Sequence, residues 1–267
     1  MKKIIPILFC AVLSACTDFS DDMREKTSSA SDKLAEKIVL YEYEDGETSS
    51  KIWNFTYDEK NRVKTVTEED DVVLYNYSYE EDKMLESMTT SYGVYYTTFD
   101  FADGRLIEIT TTYSGGYTNH EILEYDDKEA KPTKLKGVSH DYYYKWDNSG
   151  NLVEILYTYN DSPYYYTYSN VKNKCNIDFL SIFVDYGVGG NMDFLDRNLF
   201  DCFVSPNLPS AETDSQGNIE MKFSYKYDKD GYVTEAKIED QEDSDCYYIF
   251  QIYYRTENKE EDKDNLI

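Results

Sequence analysis

A phrase of the form aromatic-x-aromatic, followed by a short polar turn and a run of Val, Leu or Ile, recurs about every 22 residues in this 267-residue chain. Its copies are Phe55-Thr56-Tyr57-Asp58, Tyr77-Ser78-Tyr79-Glu80, Phe99-Asp100-Phe101-Ala102, Leu123-Glu124-Tyr125-Asp126, Tyr144-Lys145-Trp146-Asp147, Tyr166-Thr167-Tyr168-Ser169 and, after a gap, Tyr225-Lys226-Tyr227-Asp228. A constant period of this size denotes one supersecondary unit repeated in tandem. Two strands and two turns account for the interval. The turns carry hairpin chemistry: Asp228-Lys229-Asp230-Gly231, Asp103-Gly104, Ser149-Gly150-Asn151 and Glu59-Lys60-Asn61 each put Gly or Asn where the backbone must turn left-handed. The copies at 81–83 and 128–130 lack Gly and predict looser turns, and Pro132 predicts an irregular strand. With an entry strand near Ile38–Tyr43 and an exit strand near Cys246–Tyr254, the expectation is an all-β antiparallel meander of about 14–16 strands, a strongly curved sheet or a wide soluble barrel.

Tyrosine is the compositional outlier, 29 residues against 12 Phe and 2 Trp, and Tyr favours strands. A membrane barrel needs an outward row that is apolar over ~25 Å. The alternate rows of Arg105–Thr112 read Leu106, Glu108, Thr110 and Ile107, Ile109, Thr111. The row Val233, Glu235, Lys237 is also mixed, so the expected wall faces water. Between the anchors at 168 and 227 the period fails. Ile177, Leu180 and Val184, then Met192, Leu195, Leu199 and Phe203, fall at helical spacing, with Asn191 as an N-cap and Pro206 and Pro209 as terminators. Residues 175–216 are therefore expected to form a helical insert packed on the concave face, with a partner-binding or gating element as the alternative.

The ends differ in texture from the repeats. Residues 1–15 combine Lys2 and Lys3 with an apolar run too short to span a bilayer, and read as a signal peptide. Leu13-Ser14-Ala15-Cys16 resembles a bacterial lipobox, which implies lipidation of Cys16. Asp18, Asp21 and Asp22 resemble the acidic patch that directs lipoproteins of Bacteroidetes-type bacteria to the outer face of the outer membrane. Residues 16–35 read as a lipidated tether, 36–256 as the repeat domain and 257–267 as an acidic tail. Cys175, Cys202 and Cys246 are an odd set for an oxidising compartment: all thiols, or one bridge with Cys175–Cys202 the nearer pair.

The chain carries 53 Asp and Glu against 27 Lys and Arg, a formal charge of −26. That excludes general affinity for nucleic acid and leaves the lipid anchor as the membrane attachment. No nucleophile elbow, zinc helix motif or phosphate loop occurs. No Cys/His spacing suggests metal, and Asp228 to Gly231 lacks the remaining ligands of a calcium loop. No cofactor, metal ligand or catalytic residue is nominated. His120 and His140 sit in strand-like stretches, His140 beside Asp141. Tyr142-Tyr143-Tyr144 and Tyr164-Tyr165-Tyr166 offer rings for sugar stacking, although alternation turns neighbours to opposite faces, and covering the sheet is the simpler role.

The lipobox, the repeats, Leu195-Asp196-Arg197-Asn198-Leu199-Phe200, Ser205-Pro206-Asn207-Leu208-Pro209-Ser210 and Tyr227 to Thr234 occur in an order that resembles the gut Bacteroides lipoproteins of unknown function described as having a porin-like fold. The repeats also resemble the tyrosine–aspartate repeats of large shell-forming toxins and adhesins. The first resemblance covers nearly the whole chain after Cys16 and supplies no catalytic residues. The expected role is a non-enzymatic, surface-exposed outer-membrane lipoprotein that binds an extracellular ligand, a glycan or a host protein. A structural partner of outer-membrane machinery is the alternative, and a carboxylate-dependent glycoside hydrolase the third. The ligand-binding residues are unknown at this stage.

Overall fold

The computed structural model describes residues 33–44, 46–69, 73–126, 131–138, 140–158, 163–175, 177, 179–180 and 202–255. Sixteen strands follow one another in chain order: β1 Ala35–Glu44, β2 Glu47–Tyr57, β3 Val63–Glu68, β4 Val73–Tyr79, β5 Lys83–Thr90, β6 Gly93–Ala102, β7 Arg105–Thr112, β8 Thr118–Glu124, β9 Lys134–Lys136, β10 Asp141–Trp146, β11 Leu152–Tyr157, β12 Pro163–Lys172, β13 Asn207–Thr213, β14 Ile219–Tyr227, β15 Val233–Asp240 and β16 Tyr247–Tyr254. Each pairs antiparallel with its neighbours in sequence. β1 also pairs with β16, Ile38 opposite Ile252 and Leu40 opposite Phe250, so the meander closes into a barrel. Closure settles the choice between open sheet and barrel. No local sequence signal announces it, because it joins the two ends of the chain.

The turns account for the repeat. At Asp58, Asp147, Asp214 and Asp228 the carboxylate accepts from the amides two and four residues on. The residue third after the Asp is left-handed: Asn61, Gly150, Gly217 and Gly231 have φ of 60–84°. This is a three-residue hairpin loop ending in a bulge, the next commonest after the two-residue kind. Asp103-Gly104, both at positive φ, is the two-residue form. The Gly-free turn at 80–83 is tight, not loose: Glu80 N donates to Lys83 O at 2.8 Å. The segment 128–130 lies outside the described residues, and β9 after Pro132 is three residues long.

The tyrosines of the phrase staple one end of the barrel. Tyr57, Tyr79, Tyr125, Tyr168, Tyr225 and Tyr254 each donate a hydroxyl, and Trp146 its Nε1–H, to a backbone carbonyl near the start of the preceding strand, at 2.5–2.8 Å. The acceptors are Ala35, Val63, Leu106, Leu152, Pro209, Val233 and, for Trp146, Pro132. The eighth hairpin has Phe101 at this position, which cannot donate. Burial pushes the hydroxyls of Tyr57, Tyr79, Tyr125, Tyr225 and Tyr254 well above their usual range. The ring explains why the period selects Tyr: the position must fill apolar space and still donate one hydrogen bond.

The lumen is filled. Val66, Met84, Phe99, Leu135, Ile155, Leu208, Ile238 and Phe250, from eight strands, are 0–1% exposed. Each such side chain contributes roughly 1.5–3 kcal/mol by leaving water. The outer wall carries ion pairs: Lys134–Asp141 at 2.6 Å, Lys145–Glu154 at 3.2 Å, Lys226–Glu235 at 2.7 Å, Lys237–Glu239 at 2.6 Å, and Lys83 with Asp100. Thr56 and Thr65 bond across it at 2.6 Å. A Lys facing mid-bilayer lipid costs ~2–4 kcal/mol. The outward ion pairs are costly to place against lipid, and the inward side chains of these eight strands form a dry layer. On β7 a bulge opposite Asp100 and Phe101 shifts the alternation, so Leu106, Ile109 and Thr111 face inward and Glu108 and Thr110 outward.

The expected helical insert is corrected. Asn207–Thr213 is strand β13, paired with β12 and β14, and the described residues include no helix. Pro206 stands immediately before β13. Pro209 sits in the ladder opposite Tyr168, next to a register shift where an amide donor is dispensable. The helical runs through Val184, Asn191, Met192, Leu195 and Leu199 lie outside the described residues. At the flanks Ile177, Phe179, Leu180 and Phe203 are buried. Phe179 meets Tyr225 and Phe250 at 5.5 and 6.5 Å, and Phe203 meets Tyr144 at 5.9 Å. The described flanks of the β12–β13 connection thus pack among the inward side chains.

Candidate functional site

The two barrel ends are unlike. The chain enters at the stapled end, where Lys33 Nζ bridges Asp228 and Asp230 at 2.5 and 2.6 Å and Arg255 N donates to Leu34 O. The β12–β13 connection opens on the same end. The opposite end carries the turns after the odd-numbered strands, and there the inward residues change character.

Three inward rows cross β4 to β8 through direct cross-strand partners. The row nearest the stapled end is dry: Met84 opposite Phe99, and Phe99 opposite Ile109, continuing to Glu121. The middle row is polar: Tyr77, Glu86, Thr97, Thr111 and Asn119 stand opposite one another in turn. The row at the mouth is aromatic. Tyr75 and Tyr95 flank Met88, Tyr95 meets Tyr113 edge-on at 5.7 Å, and Tyr113 meets Tyr117 at 5.7 Å.

Burial is deep at this polar layer. Glu86 is 6% exposed and Thr97, Thr111 and Asn119 at most 9%; Glu121, in the adjoining row with Met84, Phe99 and Ile109, is 2% exposed. Thr97 and Thr111 hydroxyls are 3.5 Å apart. Asn119 Oδ1 is buried with no hydrogen-bond partner among the described residues. Burial first, and the Glu121 charge second, raise the Tyr113 hydroxyl above its usual range. A Cβ on Gly137 would lie 2.5 Å from His140 O, so glycine is needed for the close approach of that carbonyl, while Glu121 Oε1 lies at an ordinary contact distance of 3.8 Å.

A further inward carboxylate, Glu212 on β13, stands opposite Tyr166 and Met221. Burial and, behind it, the nearby Glu220 charge push it up to about 7, against the opposing hydrogen bond from Tyr166.

The residues singled out by sequence are dispersed. Tyr142, Tyr144 and Tyr166 face inward at 4–5% exposure, while Tyr143 is exposed on the outer wall. The runs therefore cover both sides of the sheet, and Tyr142 stacks on Tyr157 at 4.8 Å. His120 lies on the outer wall, 3.1 Å from both Glu108 Oε1 and Thr110 Oγ1. His140 meets Tyr157 at 5.2 Å, whereas its sequence neighbour Asp141 pairs with Lys134. Cys175, Cys202 and Cys246 are free thiols, and burial pushes Cys175 up to about 12. Cys16 lies outside the described residues. No group of three His, Cys, Asp or Glu among the described residues has metal-holding geometry.

Glu86, Thr97, Thr111, Asn119 and Glu121 were not picked out from sequence. Their signal is a polar residue on an otherwise apolar alternate row, as in Met84-x-Glu86-x-Met88 and Asn119-x-Glu121-x-Leu123.

No protein-family model and no curated protein matches the chain. Among solved structures it is similar to a porin-like protein from Bacteroides uniformis, with 15% identity and a TM-score of 0.63 over 83% of this chain and 98% of that one. At that identity the likeness is one of fold alone. A DUF1329 family protein from Desulfovibrio piger covers 92% of the chain at a TM-score of 0.27. A putative outer-membrane lipoprotein-sorting protein domain from Vibrio parahaemolyticus covers 91% at 0.23. Both scores are too low to support a shared architecture.

Proposed function

We propose that the chain is a non-enzymatic, lipid-anchored protein of the outer membrane that holds a water-facing barrel on the cell exterior and binds an extracellular ligand, a glycan or a host protein, at the barrel end remote from the tether. The observation that carries this reading is the ion-paired wall around a dry lumen. Such a body neither spans lipid nor conducts, which leaves its ends as the working surfaces. The stapled end receives the chain from Cys16 and the β12–β13 connection. Sixteen residues lie between Cys16 and Lys33, a reach of up to ~60 Å when extended. The remote end offers rings to a partner: Tyr92 and Tyr117, on the neighbouring β5–β6 and β7–β8 turns, are 89% and 61% exposed. Exposed tyrosines supply broad contact area with a polar tip at low entropic cost.

The test is a glycan array and an envelope and host-protein pull-down with the full-length Cys16→Ser chain, beside Tyr92→Ala and Tyr117→Ala. Saturable capture that both substitutions weaken supports the reading. Flat arrays together with one stoichiometric envelope partner, retained by both variants, would replace it with an assembly role.

A further inference from the structure

We propose that the outer face of β3–β8, centred on Tyr96, is a binding surface for an uncharged polysaccharide. It goes beyond the reading of the barrel end: it adds one part of the wall as a second surface and names a neutral glycan as its ligand.

The ion pairs of the wall stop short of this face. One outward row crosses six strands through direct cross-strand partners: Thr65, Asn76, Ser87, Tyr96, Thr112 and Thr118. The adjoining row toward the remote end runs from Thr67 to Val94. The adjoining row toward the stapled end runs from Ser78 to His120. No Asp, Glu, Lys or Arg stands in any of the three. In a chain that is 30% charged, an uncharged field of this extent departs from the composition around it. Charge returns one row further on, at Lys83, Asp100 and Glu108.

The side chains of the middle row are available to a ligand. Asn76, Ser87, Tyr96, Thr112 and Thr118 have no side-chain hydrogen bond or ring contact among the described residues. Their hydroxyls and amide both give and accept hydrogen bonds, at the ~4.8 Å spacing of neighbouring strands. The hydroxyls of a neutral glycan do the same. Tyr96 is 58% exposed, and the side chains directly across from it, Ser87 and Thr112, are short. Its ring offers the apolar C–H face of a sugar a broad contact while its hydroxyl stays in water.

Other partners fit this face less well. Strand and residue spacings give it roughly 350 Å², under half of the ~800 Å² that each partner contributes to a stable protein interface. A second copy of the chain or a protein ligand is therefore too large a partner for it, whereas a short run of sugars covers it. Lipid is disfavoured by the row of hydroxyls and Asn76, which lose their water against hydrocarbon. An anionic glycan is repelled by the net charge of −26 and by the bordering Asp100 and Glu108.

The experiment is native affinity electrophoresis of the full-length Cys16→Ser chain through gels holding an uncharged polysaccharide (glucomannan, arabinoxylan, dextran or laminarin) or anionic polygalacturonate. Mobility is read against a gel with no polysaccharide. At least one uncharged polymer is expected to retard the chain, and polygalacturonate is not. Tyr96→Ala is expected to weaken binding about tenfold, the loss of one aromatic contact. Thr112→Glu, which puts a charge into the middle row, should weaken it as much. Tyr143→Ala, exposed on β10 in the ion-paired part of the wall, should leave it unchanged. Circular dichroism checks the fold, and Thr112→Glu decides the matter if Tyr96→Ala does not fold. The proposal is overturned if no uncharged polymer retards the chain, if polygalacturonate retards it equally, or if a folded Tyr96→Ala or Thr112→Glu variant keeps full affinity. A stoichiometric dimer or protein complex that Thr112→Glu disrupts also overturns it. Binding lost in Tyr92→Ala and Tyr117→Ala but kept in Tyr96→Ala sinks this proposal and leaves the barrel-end reading standing. The reverse pattern upholds this one and sinks that reading.

Discussion

Replacing Glu212 by Gln should flatten the stability of this barrel between pH 5 and 8.5. Glu212 is 7% exposed, stands beside Tyr166, and is pushed up to about 7, first by burial and then by the Glu220 charge. The unfolded chain releases the same proton near the ordinary carboxylate value. Between those two values the folded state holds a proton that the unfolded state has lost, so the contribution to stability is complete at low pH and disappears as pH rises through 7. From pH 5 to 8.5 about two units separate the two states, and at 1.36 kcal/mol per unit the wild type should lose ~2.5 kcal/mol. Gln carries no proton to lose and keeps the hydrogen bond to the Tyr166 hydroxyl. Urea unfolding followed by circular dichroism at pH 5, 7 and 8.5 reads the difference directly. The variant should be near the wild type at pH 5 and more stable at pH 8.5. The loop aspartates do not confuse this window. Asp58 and Asp228 are held low by Arg62, Lys33 and backbone amides that outweigh burial, and Asp214 by Asn218, so their contribution is lost only as pH falls below the ordinary carboxylate value. Parallel pH curves for wild type and variant would show that Glu212 titrates as an ordinary surface acid, and would refute the argument.

Other consequences are measurable. Tyr79→Phe and Tyr168→Phe each remove one hydroxyl and orphan one carbonyl, and should cost ~1 kcal/mol in urea unfolding, while Phe101→Tyr, which supplies the missing eighth donor, should be neutral or stabilising. Gly137→Ala drives a methyl to within 2.5 Å of His140 O. It should cost ~1–3 kcal/mol as an overpacked site, whereas Gly115→Ala, with open space around it, should be near neutral. Purified protein added to planar lipid bilayers should give no conductance, because the wall is ionic and the lumen closed; stepwise channel openings would overturn the water-facing assignment.

The strand count and hairpin order were legible because each copy repeats its own turn chemistry: an Asp that caps the loop and a Gly or Asn third after it. The tyrosines were legible as a pattern and not as a purpose, since nothing in Tyr79 says that its hydroxyl meets Val63 O. β13 was hidden by Pro206 and Pro209, which read as helix terminators, whereas Pro206 stands just before the strand and Pro209 inside its ladder with β12. The inward acids were hidden differently. With 53 acidic residues, Glu86 and Glu121 stand out only when the alternation is known strand by strand, and bulges such as that on β7 shift the parity in mid-strand.

The pairing of β1 with β16 sets the timing of the whole molecule. Ala35 finds its partner, Tyr254, only when nearly all of the chain is available. Any shorter product is a sheet with two raw edges, open to pairing with another chain, and contacts this distant in sequence form slowly. A chain that cannot close before its last strand arrives is suited to export in the unfolded state. Loss of the final eight residues of the sheet would leave an unsealed ribbon and not a smaller barrel, a natural target for proteases.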